Sequence, residues 1–551
     1  MSQNITVAKL LVRKFAERGI KTIFGLPGGG SSLDIINAAG ENRIDFVLTK
    51  TENSAVMMAG ALAESSGVPG VALMTKGPGV TNSANGVAYA SLDRAPVIVL
   101  TDGFTPKQLS YITHQVFDQA AVLRPIVKAT SRLESSDPEA EIDALLDIAC
   151  TVPMGPVHIE LTSEAARRVI SIDPANQSEH TRSDPRLKKS DPFEQLDDTA
   201  VADLRAYIET ARKPVVVLGL EAREHAHAAR EFVMSLGCPA LLTYKAKGVL
   251  SDLDPQVVGI FTGGALEEEV VKAADLIILV GMDPVELILQ PWRYDIPVID
   301  IAAFEHAVHY VKPKVRAVGS ISSLLQMIKP PTGWDQKNWS RSDFEAFRSN
   351  AHRQMSYRPT DNAVAPDRVA QLAASVCGEI GVKPRFSIDA GAHMFSVTAF
   401  FPAHLPGDVL VSNGLATMAF ALPAAISAAV QRRGDPVLCF TGDGGLMMCL
   451  GELCTAVEQR AHVIVIVFND SSLSLIDIKQ QSRSFEPSGV RWSHHNFSAM
   501  MTALGGFGFS VKSELEFVDA LKKAIAHDGP SVIDVLVDPS GYPEQLKALR
   551  G

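Results

Sequence analysis

The residues best suited to chemistry lie at the ends of two apolar runs in the last third of the chain. Gly442-Asp443-Gly444 follows the run Val437 to Phe440, and Asn469-Asp470 follows the run Val463 to Phe468. Glycine lets the backbone approach a phosphate group, and a carboxylate supplies the hard oxygen ligand that Mg²⁺ prefers. The spacing therefore predicts a site in which Mg²⁺ links the chain to a phosphorylated ligand. A Gly-Asp-Gly tripeptide alone also fits an ordinary turn, but the two strand contexts favour the metal site.

The composition excludes several classes of protein. The 551 residues predict three or four domains, and 46% hydrophobic with 21% charged residues is typical of a globular protein. A formal charge of −11 argues against general affinity for nucleic acid. Basic residues recur at helical spacing through Met1 to Ile20, which excludes a signal peptide, and no apolar run reaches the length of a membrane span. Six cysteines in apolar contexts, without metal-ligand spacing, predict reduced core residues of a cytoplasmic protein.

The elements that must position the two polar pairs are short β-branched runs that alternate with helical patterns. This alternation predicts an α/β fold of three doubly wound, Rossmann-like domains with parallel sheets. Two stretches poor in apolar residues, Ser171 to Asp198 and Lys329 to Ser349, are predicted linkers. The predicted domains are 1–175, 190–330 and 360–551. The predicted strands are Gly70 to Met74, Pro96 to Leu100, Pro214 to Leu220, Asp275 to Gly281, Pro297 to Ile301, Val437 to Phe440 and Val463 to Phe468.

An internal repeat relates the first and last of these domains. A shift of 366 positions, without a gap, lays Val71 to Thr75 on Val437 to Thr441 and Ala95 to Val99 on Ala461 to Val465. Under this shift Glu52 falls opposite Met418. A shared strand-turn-helix pattern explains part of the match, but the sustained register favours two related domains.

Several longer motifs resemble one family, the thiamine-diphosphate-dependent decarboxylases and carboligases. Its members include acetohydroxyacid (acetolactate) synthase, pyruvate oxidase and benzoylformate decarboxylase, and the synthase motifs match best. The resemblance implies a pyrimidine-binding domain, a middle domain and a diphosphate-binding domain, with thiamine diphosphate and Mg²⁺ as cofactors. It also implies a homodimer or a dimer of dimers with active sites between subunits. The matching segments are Thr51-Glu52-Asn53, Gly77 to Asn82, Arg124 to Lys128, Asp389 to His393, Gly414 to Met418 and the predicted metal site.

The resemblance gives Glu52 a catalytic role. A carboxyl group bonded to the cofactor's pyrimidine lets the cofactor act as its own base, and burial would raise the pKa of that carboxyl. Met418 matches the apolar wedge that folds the cofactor's two rings together, and the Ala416 carbonyl matches an acceptor for the aminopyrimidine. Taken alone, Glu52 fits a helix-start glutamate and Met418 fits core packing.

The metal site departs from the family at one position. The family usually has asparagine where this chain has Asp470, so the metal ligands implied here are Asp443, Asp470 and the Ser472 carbonyl, with Asn469 outside the coordination shell. Asp470 adds a negative charge that we expect to weaken cofactor binding. The full set of implied cofactor contacts is Gly391, Ala392, His393, Ala416, Met418, Gly442, Asp443, Gly444, Gly445, Asp470, Ser472, Leu473, Ser474 and Leu475.

A second departure concerns flavin. The synthase follows a middle-domain strand with an arginine-containing segment used in flavin binding, but here Leu276 to Val280 leads into Gly281 to Leu287 without one. No complete Gly-x-Gly-x-x-Gly fingerprint follows a middle-domain strand either. Bound FAD is therefore not expected and the middle domain is interpreted as structural, with an adenine-nucleotide site as the alternative.

Candidate substrate residues come from the same resemblance. Gly29 and Gly30 match substrate-loop positions, and His114-Gln115 stands where the synthase has phenylalanine-glutamine, so Gln115 and His114 are candidate catalytic residues. Lys479 stands where the synthase has a tryptophan that selects substrate. A lysine there favours dianionic 2-oxo acids, although a solvated lysine on a helix face fits equally well. The roles of His494 and His495 are not predicted.

These residues favour an acetolactate synthase-like enzyme that decarboxylates a small 2-oxo acid and joins the remaining fragment to a second carbonyl compound. A simple decarboxylase resembling benzoylformate decarboxylase is the alternative. A Rossmann-type nucleotide-binding protein would carry dinucleotide fingerprints, and a non-catalytic relative would not need Glu52.

Overall fold

The computed structural model describes residues 3–172, 198–287, 291–330, 338–357 and 363–551. These residues form three six-stranded parallel sheets and one two-stranded antiparallel sheet. The predicted α/β class with three parallel sheets is confirmed, and each predicted strand is present. Nearly all of the first predicted linker lies outside the described residues. The second overlaps a helix, Arg341–Met355, whose apolar side chains Phe344, Phe347 and Met355 are buried.

The first sheet has the strand order β3-β2-β4-β5-β7-β6, and β1 pairs antiparallel with β8. Its strands β4 and β5 are buried on both faces along almost their whole length, as expected for a parallel sheet covered by helices. The strands are β1 (Gln3–Thr6), β2 (Thr22–Leu26), β3 (Asp45–Leu48), β4 (Gly70–Met74), β5 (Val97–Gly103), β6 (Ala129–Ser131), β7 (Val157–Thr162) and β8 (Val169–Ile172). The helices are α1 (Val7–Glu17), α2 (Ser31–Glu41), α3 (Glu52–Ser66), α4 (Pro78–Leu92), α5 (Pro106–Leu109), α6 (Gln119–Leu123), α7 (Pro138–Cys150) and α8 (Ser163–Arg167).

The middle sheet has the order β11-β10-β9-β12-β13-β14, so the chain reverses its direction of winding between β9 and β12. The strands are β9 (Pro214–Leu218), β10 (Ala240–Leu242), β11 (Val257–Ile260), β12 (Leu276–Val280), β13 (Val298–Ala302) and β14 (Val315–Val318). The helices are α9 (Asp198–Thr210), α10 (Ala226–Leu236), α11 (Glu268–Ala273) and α12 (Ile321–Ile328).

The third sheet has the order β16-β15-β17-β18-β20-β19. The strands are β15 (Arg385–Ile388), β16 (Val409–Val411), β17 (Val437–Gly442), β18 (Val463–Asn469), β19 (Phe507–Val511) and β20 (Ser531–Leu536). The helices are α13 (Arg341–Met355), α14 (Pro366–Ile380), α15 (His393–Phe400), α16 (Ala421–Gln431), α17 (Asp443–Met448), α18 (Glu452–Glu458), α19 (Ser474–Ser482), α20 (Phe497–Ala503), α21 (Glu514–Ala526) and α22 (Tyr542–Arg550).

The predicted repeat is visible in the strand orders. Taken in chain order, the six strands of the first sheet and the six strands of the third follow the same path, which differs from that of the middle sheet. The gap-free alignment nevertheless slips by one residue. Val437 pairs with Val463, but it is Gly70, not Val71, that pairs with Val97.

The chain divides into two compact units. One comprises residues 1–190, 414–433 and 449–461, and therefore joins the first sheet to helices α16 and α18. The other comprises residues 191–413, 434–448 and 462–551, with the middle and third sheets. Among the described residues, no helix combines the length and apolar character needed to cross a membrane. The six cysteines are all free thiols, and four of them are buried.

Candidate active site

The two aspartates of the predicted metal site lie at the carboxyl ends of neighbouring parallel strands. β17 and β18 pair in register through Gly442 and Phe468, so Asp443 and Asp470 leave the sheet at the same edge. Asp443 is the first residue of α17 and is 1% exposed. This arrangement agrees with the sequence prediction that two strand ends supply the carboxylates.

Asp443 is held by hydrogen-bond donors on its own loop and on a distant one. Its Oδ1 accepts the Gly444 N–H at 2.9 Å, and its Oδ2 accepts the Trp492 Nε1–H at 3.2 Å. Burial and then the negative charge of Asp470 raise the pKa of Asp443 to about 7. The two carboxyl groups therefore interact, and a divalent cation would relieve both the burial and the repulsion.

Asp470 faces the start of α19. Its Oδ1 accepts the Ser472 N–H at 3.2 Å, and its Oδ2 accepts the Ser474 hydroxyl. Burial raises the pKa of Asp470 to about 6. Asn469 Nδ2 donates to Asp534 at 2.8 Å and to the His495 carbonyl at 3.1 Å, while its Oδ1 is buried without a hydrogen-bond partner. Asp470 therefore remains the metal ligand on the resemblance, and these hydrogen bonds do not decide between the two residues.

Glycines close to these carboxylates leave no room for side chains. A Cβ on Gly444 would lie 3.1 Å from both Leu473 and Trp492, and a Cβ on Gly445 would lie 2.1 Å from Asp389 Oδ2. A Cβ on Gly391 would lie 2.7 Å from the His393 ring. The backbone is therefore bare where the resemblance places the diphosphate.

His393 is buried against Phe468 with a ring-centroid distance of 5.2 Å. Burial lowers its pKa to about 4, so the ring is neutral at pH 7. Its Nε2 is buried and has no hydrogen-bond partner. An unpartnered buried nitrogen is explained if a ligand completes its hydrogen bonding. Ala392 precedes this residue at the start of α15.

These residues fit Mg²⁺ and a diphosphate. The buried Asp443 and the half-buried Asp470 offer carboxylate oxygens, and the glycines with His393 provide a bare backbone and a buried polar atom. Ser472 and Leu473 lead into α19, which begins at Ser474 and Leu475, and a helix N-terminus favours a phosphate group.

In the first unit, Glu52 is the first residue of α3 and is 7% exposed. Its Oε2 accepts the Asn82 side-chain N–H at 2.5 Å, and a Cβ on Gly79 would lie 3.4 Å from its Oε1. The buried Glu452 carboxylate accepts the backbone N–H groups of Lys50 and Thr51 at 3.0 and 3.1 Å, which fixes the chain just before Glu52. Glu52 is therefore a buried carboxyl in a defined position.

The segment around Met418 belongs to the same unit. Ala416 and Ala419 adopt left-handed backbone conformations with φ of 54° and 66°, which side-chain-bearing residues rarely adopt. Thr417 Oγ1 accepts a hydrogen bond from Asn85 at 3.0 Å. Met418 is half-buried and Ala416 exposed, so Met418 is not a plain core residue.

The predicted substrate glycines lie beside a buried carboxylate, Asp102, at the end of β5. Its Oδ1 accepts the Ser32 N–H and the Ser31 hydroxyl at 2.8 Å. A Cβ on Gly30 would lie 2.9 Å from this carboxylate, whereas a Cβ on Gly29 would meet nothing within 4 Å. Gly29 therefore faces open space on a loop that Asp102 holds.

Gln119 forms hydrogen bonds to Asp102 and to Gly77, and Gln115 lies beside Gly77. It donates to the Asp102 carbonyl at 3.1 Å and accepts the Gly77 N–H at 2.7 Å. Gln115 has a left-handed backbone with φ of 60°, and a Cβ on Gly77 would lie 2.8 Å from its own Cβ. His114 and Gln115 are both exposed.

The remaining residues considered in the sequence are exposed or half-buried on this chain. Lys479 is exposed in the last turn of α19. His494 is exposed, and His495 contributes only its backbone carbonyl to Asn469.

Several supporting residues were not assigned roles from sequence. Asn82 lies inside a motif that was recognised, so its contact with Glu52 had a local signal. Trp492, Glu452 and Gln119 had none, because each reaches its partner through the fold from a distant part of the chain.

Asp470 leads to a prediction about pH and affinity. Mg²⁺ binding needs ionised carboxylates, so affinity is expected to rise as the pH increases through about 7, where Asp443 loses its proton. In Asp470→Asn, removal of one negative charge is expected to lower the pKa of Asp443 and to shift this rise to lower pH. Calorimetric titration with Mg²⁺ and thiamine diphosphate between pH 5.5 and 8.5, chosen to bracket that range, measures the shift. An unchanged pH profile would show that the two carboxyls do not interact.

Comparisons with known proteins identify the family of the chain. Family models for thiamine pyrophosphate enzymes match in order: the N-terminal TPP binding domain over residues 5–122, the central domain over 201–328 and the C-terminal TPP binding domain over 389–535.

Known relatives match along almost the whole chain. The acetolactate synthase of Bacillus subtilis (strain 168) is 28% identical over 97% of this chain and 93% of its own length. The acetolactate synthase isozyme 1 large subunit of Escherichia coli (strain K12) is 26% identical, with 97% and 94% covered. The probable acetolactate synthase large subunit of Methanocaldococcus jannaschii is 27% identical, with 97% and 92% covered. With all three domains matched in order, the chain belongs to the thiamine-diphosphate-dependent enzymes and is similar to acetolactate synthases.

Proposed function

We propose that the protein is an acetolactate synthase-like carboligase that uses thiamine diphosphate and Mg²⁺. It decarboxylates a small 2-oxo acid and joins the remaining two-carbon or longer fragment to a second carbonyl compound. The observation that carries the proposal is the buried Glu52 carboxyl, fixed at the start of α3 and bonded to Asn82. The full-length similarity to acetolactate synthases supports the carboligase over a simple decarboxylase.

Each residue group has a separate task in this proposal. Asp443, Asp470 and the Ser472 carbonyl hold Mg²⁺, while the glycines and the start of α19 receive the diphosphate. Glu52 bonds the pyrimidine and holds or releases a proton there, and Met418 with the Ala416 carbonyl fixes the angle between the cofactor's rings. When bound, thiamine diphosphate supplies the carbon nucleophile and accepts the electron pair that decarboxylation releases. Gly29, Gly30, Gln115 and His114 surround the substrate.

Each predicted domain has one role in this proposal. Residues 1–175 bind the pyrimidine, 190–330 form the middle domain and 360–551 bind the diphosphate. Two copies of the chain form the working unit, as a homodimer or a dimer of dimers, with Glu52 of one subunit serving the diphosphate bound by the other.

We also propose that the middle domain does not bind FAD, because its own carboxylates occupy the backbone donors that a dinucleotide would need. The Leu220 N–H after β9 donates to Glu286 at 2.8 Å, and the Ala303 N–H after β13 donates to Glu221 at 2.5 Å. In doubly wound sheets, dinucleotide phosphates bind such N–H groups. Burial raises the pKa of Glu286 to about 8, yet its oxygens still fill the space beside Gly219.

The reaction is tested with purified protein, thiamine diphosphate, Mg²⁺ and a panel of 2-oxo acids, with carbon dioxide, aldehyde and hydroxyketone products measured together. Hydroxyketone formation is expected in step with carbon dioxide release. Aldehyde as the sole organic product would replace the proposal with the simple decarboxylase. No turnover across the panel would count against an enzyme of this class.

The Lys479→Met variant tests whether the charge of Lys479 determines which 2-oxo acids the protein prefers. If its ammonium group pairs with a second substrate anion, Lys479→Met is expected to lower kcat/KM for dianionic 2-oxo acids by about 10-fold relative to monoanionic ones. Lys383→Met, at another exposed lysine before β15, is the matched control and should leave the ratio unchanged. An unchanged ratio in Lys479→Met would identify Lys479 as a solvated surface residue.

A further inference from the structure

A short segment, residues 490–492, lies alongside the loop that follows β18 and carries two of the predicted metal ligands. The pairing is antiparallel. The Trp492 N–H donates to the Ser471 carbonyl at 3.1 Å, and the Leu473 N–H donates to the Val490 carbonyl at 2.8 Å. Two backbone hydrogen bonds therefore hold this segment against the loop.

This pairing fixes Ser472 without using its own peptide groups. Ser472 faces Arg491 in the antiparallel bridge, and the two hydrogen bonds belong to the residues on either side of it. In such a pair the N–H and C=O of the central residue point away from the partner strand. The Ser472 N–H donates instead to Asp470 Oδ1 at 3.2 Å. The segment therefore holds Ser472 in place while leaving its carbonyl directed away, as the proposed third metal ligand requires.

The Trp492 side chain reaches the neighbouring strand end. Its Nε1–H donates to Asp443 Oδ2 at 3.2 Å, while the Gly444 N–H donates to Oδ1 at 2.9 Å. Each carboxylate oxygen thus has one donor and keeps lone pairs for a cation. An indole N–H is a donor only, so it can orient a carboxylate without binding the metal itself. Trp492 and Gly444 together fix the plane of the Asp443 carboxylate.

An ion pair anchors the segment to α19. The Arg491 guanidinium donates to both oxygens of the Asp477 carboxylate, with Nε to Oδ2 at 2.7 Å and Nη2 to Oδ1 at 3.1 Å. A bidentate pair of this kind fixes orientation as well as distance. On the other side of Arg491, Val490 is 4% exposed. Trp492 is therefore presented to Asp443 by a segment with its own attachments.

We propose that Trp492 is a positioning residue for the metal site, and that it links two ligands from different strand ends. Its indole N–H holds Asp443, and its backbone N–H holds the loop of Ser472. The inference rests on the proposed use of Mg²⁺ and thiamine diphosphate. The alternative is an obstructing ring, because a Cβ on Gly444 would lie 3.1 Å from the Trp492 ring. The hydrogen bond to a ligand favours the positioning role.

Trp492→Phe tests the proposal, because it keeps an aromatic ring and removes the N–H. Mg²⁺ is titrated calorimetrically into the full-length protein in the presence of thiamine diphosphate. We expect the affinity for Mg²⁺ to fall about 10-fold to 100-fold, the usual effect of losing a hydrogen-bond partner of a metal ligand. Excess Mg²⁺ should then restore thiamine diphosphate binding by mass action. A merely structural defect would not be rescued by the metal.

Trp292→Phe is the matched control. It also removes an indole N–H, which donates to the Tyr294 carbonyl at 3.0 Å in the middle domain, and it should leave the affinity for Mg²⁺ unchanged. The inference fails if Trp492→Phe keeps the wild-type affinity, or if its affinity rises, as an obstructing ring predicts. It fails equally if excess Mg²⁺ does not restore binding. Absence of Mg²⁺-dependent binding in the wild-type protein would instead overturn the proposed function, and this inference with it.

Discussion

Asp443→Ala is expected to abolish Mg²⁺-dependent binding of thiamine diphosphate. The carboxylate is buried, is fixed by donors from Gly444 and Trp492, and lies beside Asp470 at the same sheet edge. Loss of a residue that only supports a metal ligand typically costs 10-fold to 100-fold in affinity, so loss of the ligand itself should cost more than about 100-fold. Isothermal titration calorimetry with thiamine diphosphate, in the presence and absence of Mg²⁺, measures the effect.

Asp435→Ala is the matched control for this experiment. It removes an aspartate just before the same strand, β17, but at an exposed position near the opposite end from Asp443. Asp443→Asn is a milder second variant, because an amide keeps a hydrogen-bond acceptor in the buried position. Retention of full Mg²⁺-dependent affinity by Asp443→Ala would remove this residue from the metal site.

Glu52→Gln is expected to reduce turnover by about 10²-fold to 10⁴-fold while cofactor affinity changes little. The amide has the same shape as the carboxyl and can still accept the Asn82 hydrogen bond, but it cannot share a proton with the pyrimidine. The prediction therefore separates chemistry from binding. Steady-state kinetics gives the loss in kcat, and calorimetry gives the affinity for thiamine diphosphate.

Glu64→Gln provides the comparison within the same helix, α3. Glu64 accepts a hydrogen bond from the Tyr89 hydroxyl at 2.5 Å, and glutamine can accept it as well, so turnover should stay close to that of the unmodified protein. If Glu52→Gln retained full turnover, Glu52 would be a helix-start glutamate without a catalytic role.

The strands and their functional ends were predictable because apolar runs bounded by glycine define buried parallel strands. Asp443 and Asp470 needed only their strand contexts to be paired correctly. The contact between Trp492 and Asp443 was not predictable, since it joins a strand end to a loop without a local pattern. Helix α13 was missed because Arg341 to Met355 is rich in polar residues and only three of its side chains are buried.

The exposure of His114 was not predicted from the sequence, and the exposure of Lys479 was one of two alternatives that the sequence left open. A motif position fixes a residue's place along the chain, but whether its side chain meets solvent depends on neighbours contributed by other segments.

The strand register differs by one residue between the first and third sheets, and this difference affects which residues of the two domains are structurally equivalent. Along a β-strand, successive side chains point to opposite faces, so a slip of one position exchanges the inward and outward sets. In β5 and β18 the counterparts Ile98 and Ile464 both belong to the core that contains the helix before the first strand of the sheet, α1 or α14. In β4 and β17 the counterparts Val71 and Val437 lie on different faces, because it is Leu438, and not Val437, that belongs to that core. A segment moved from β4 into β17 by the gap-free alignment would therefore present its side chains to the wrong face of the sheet.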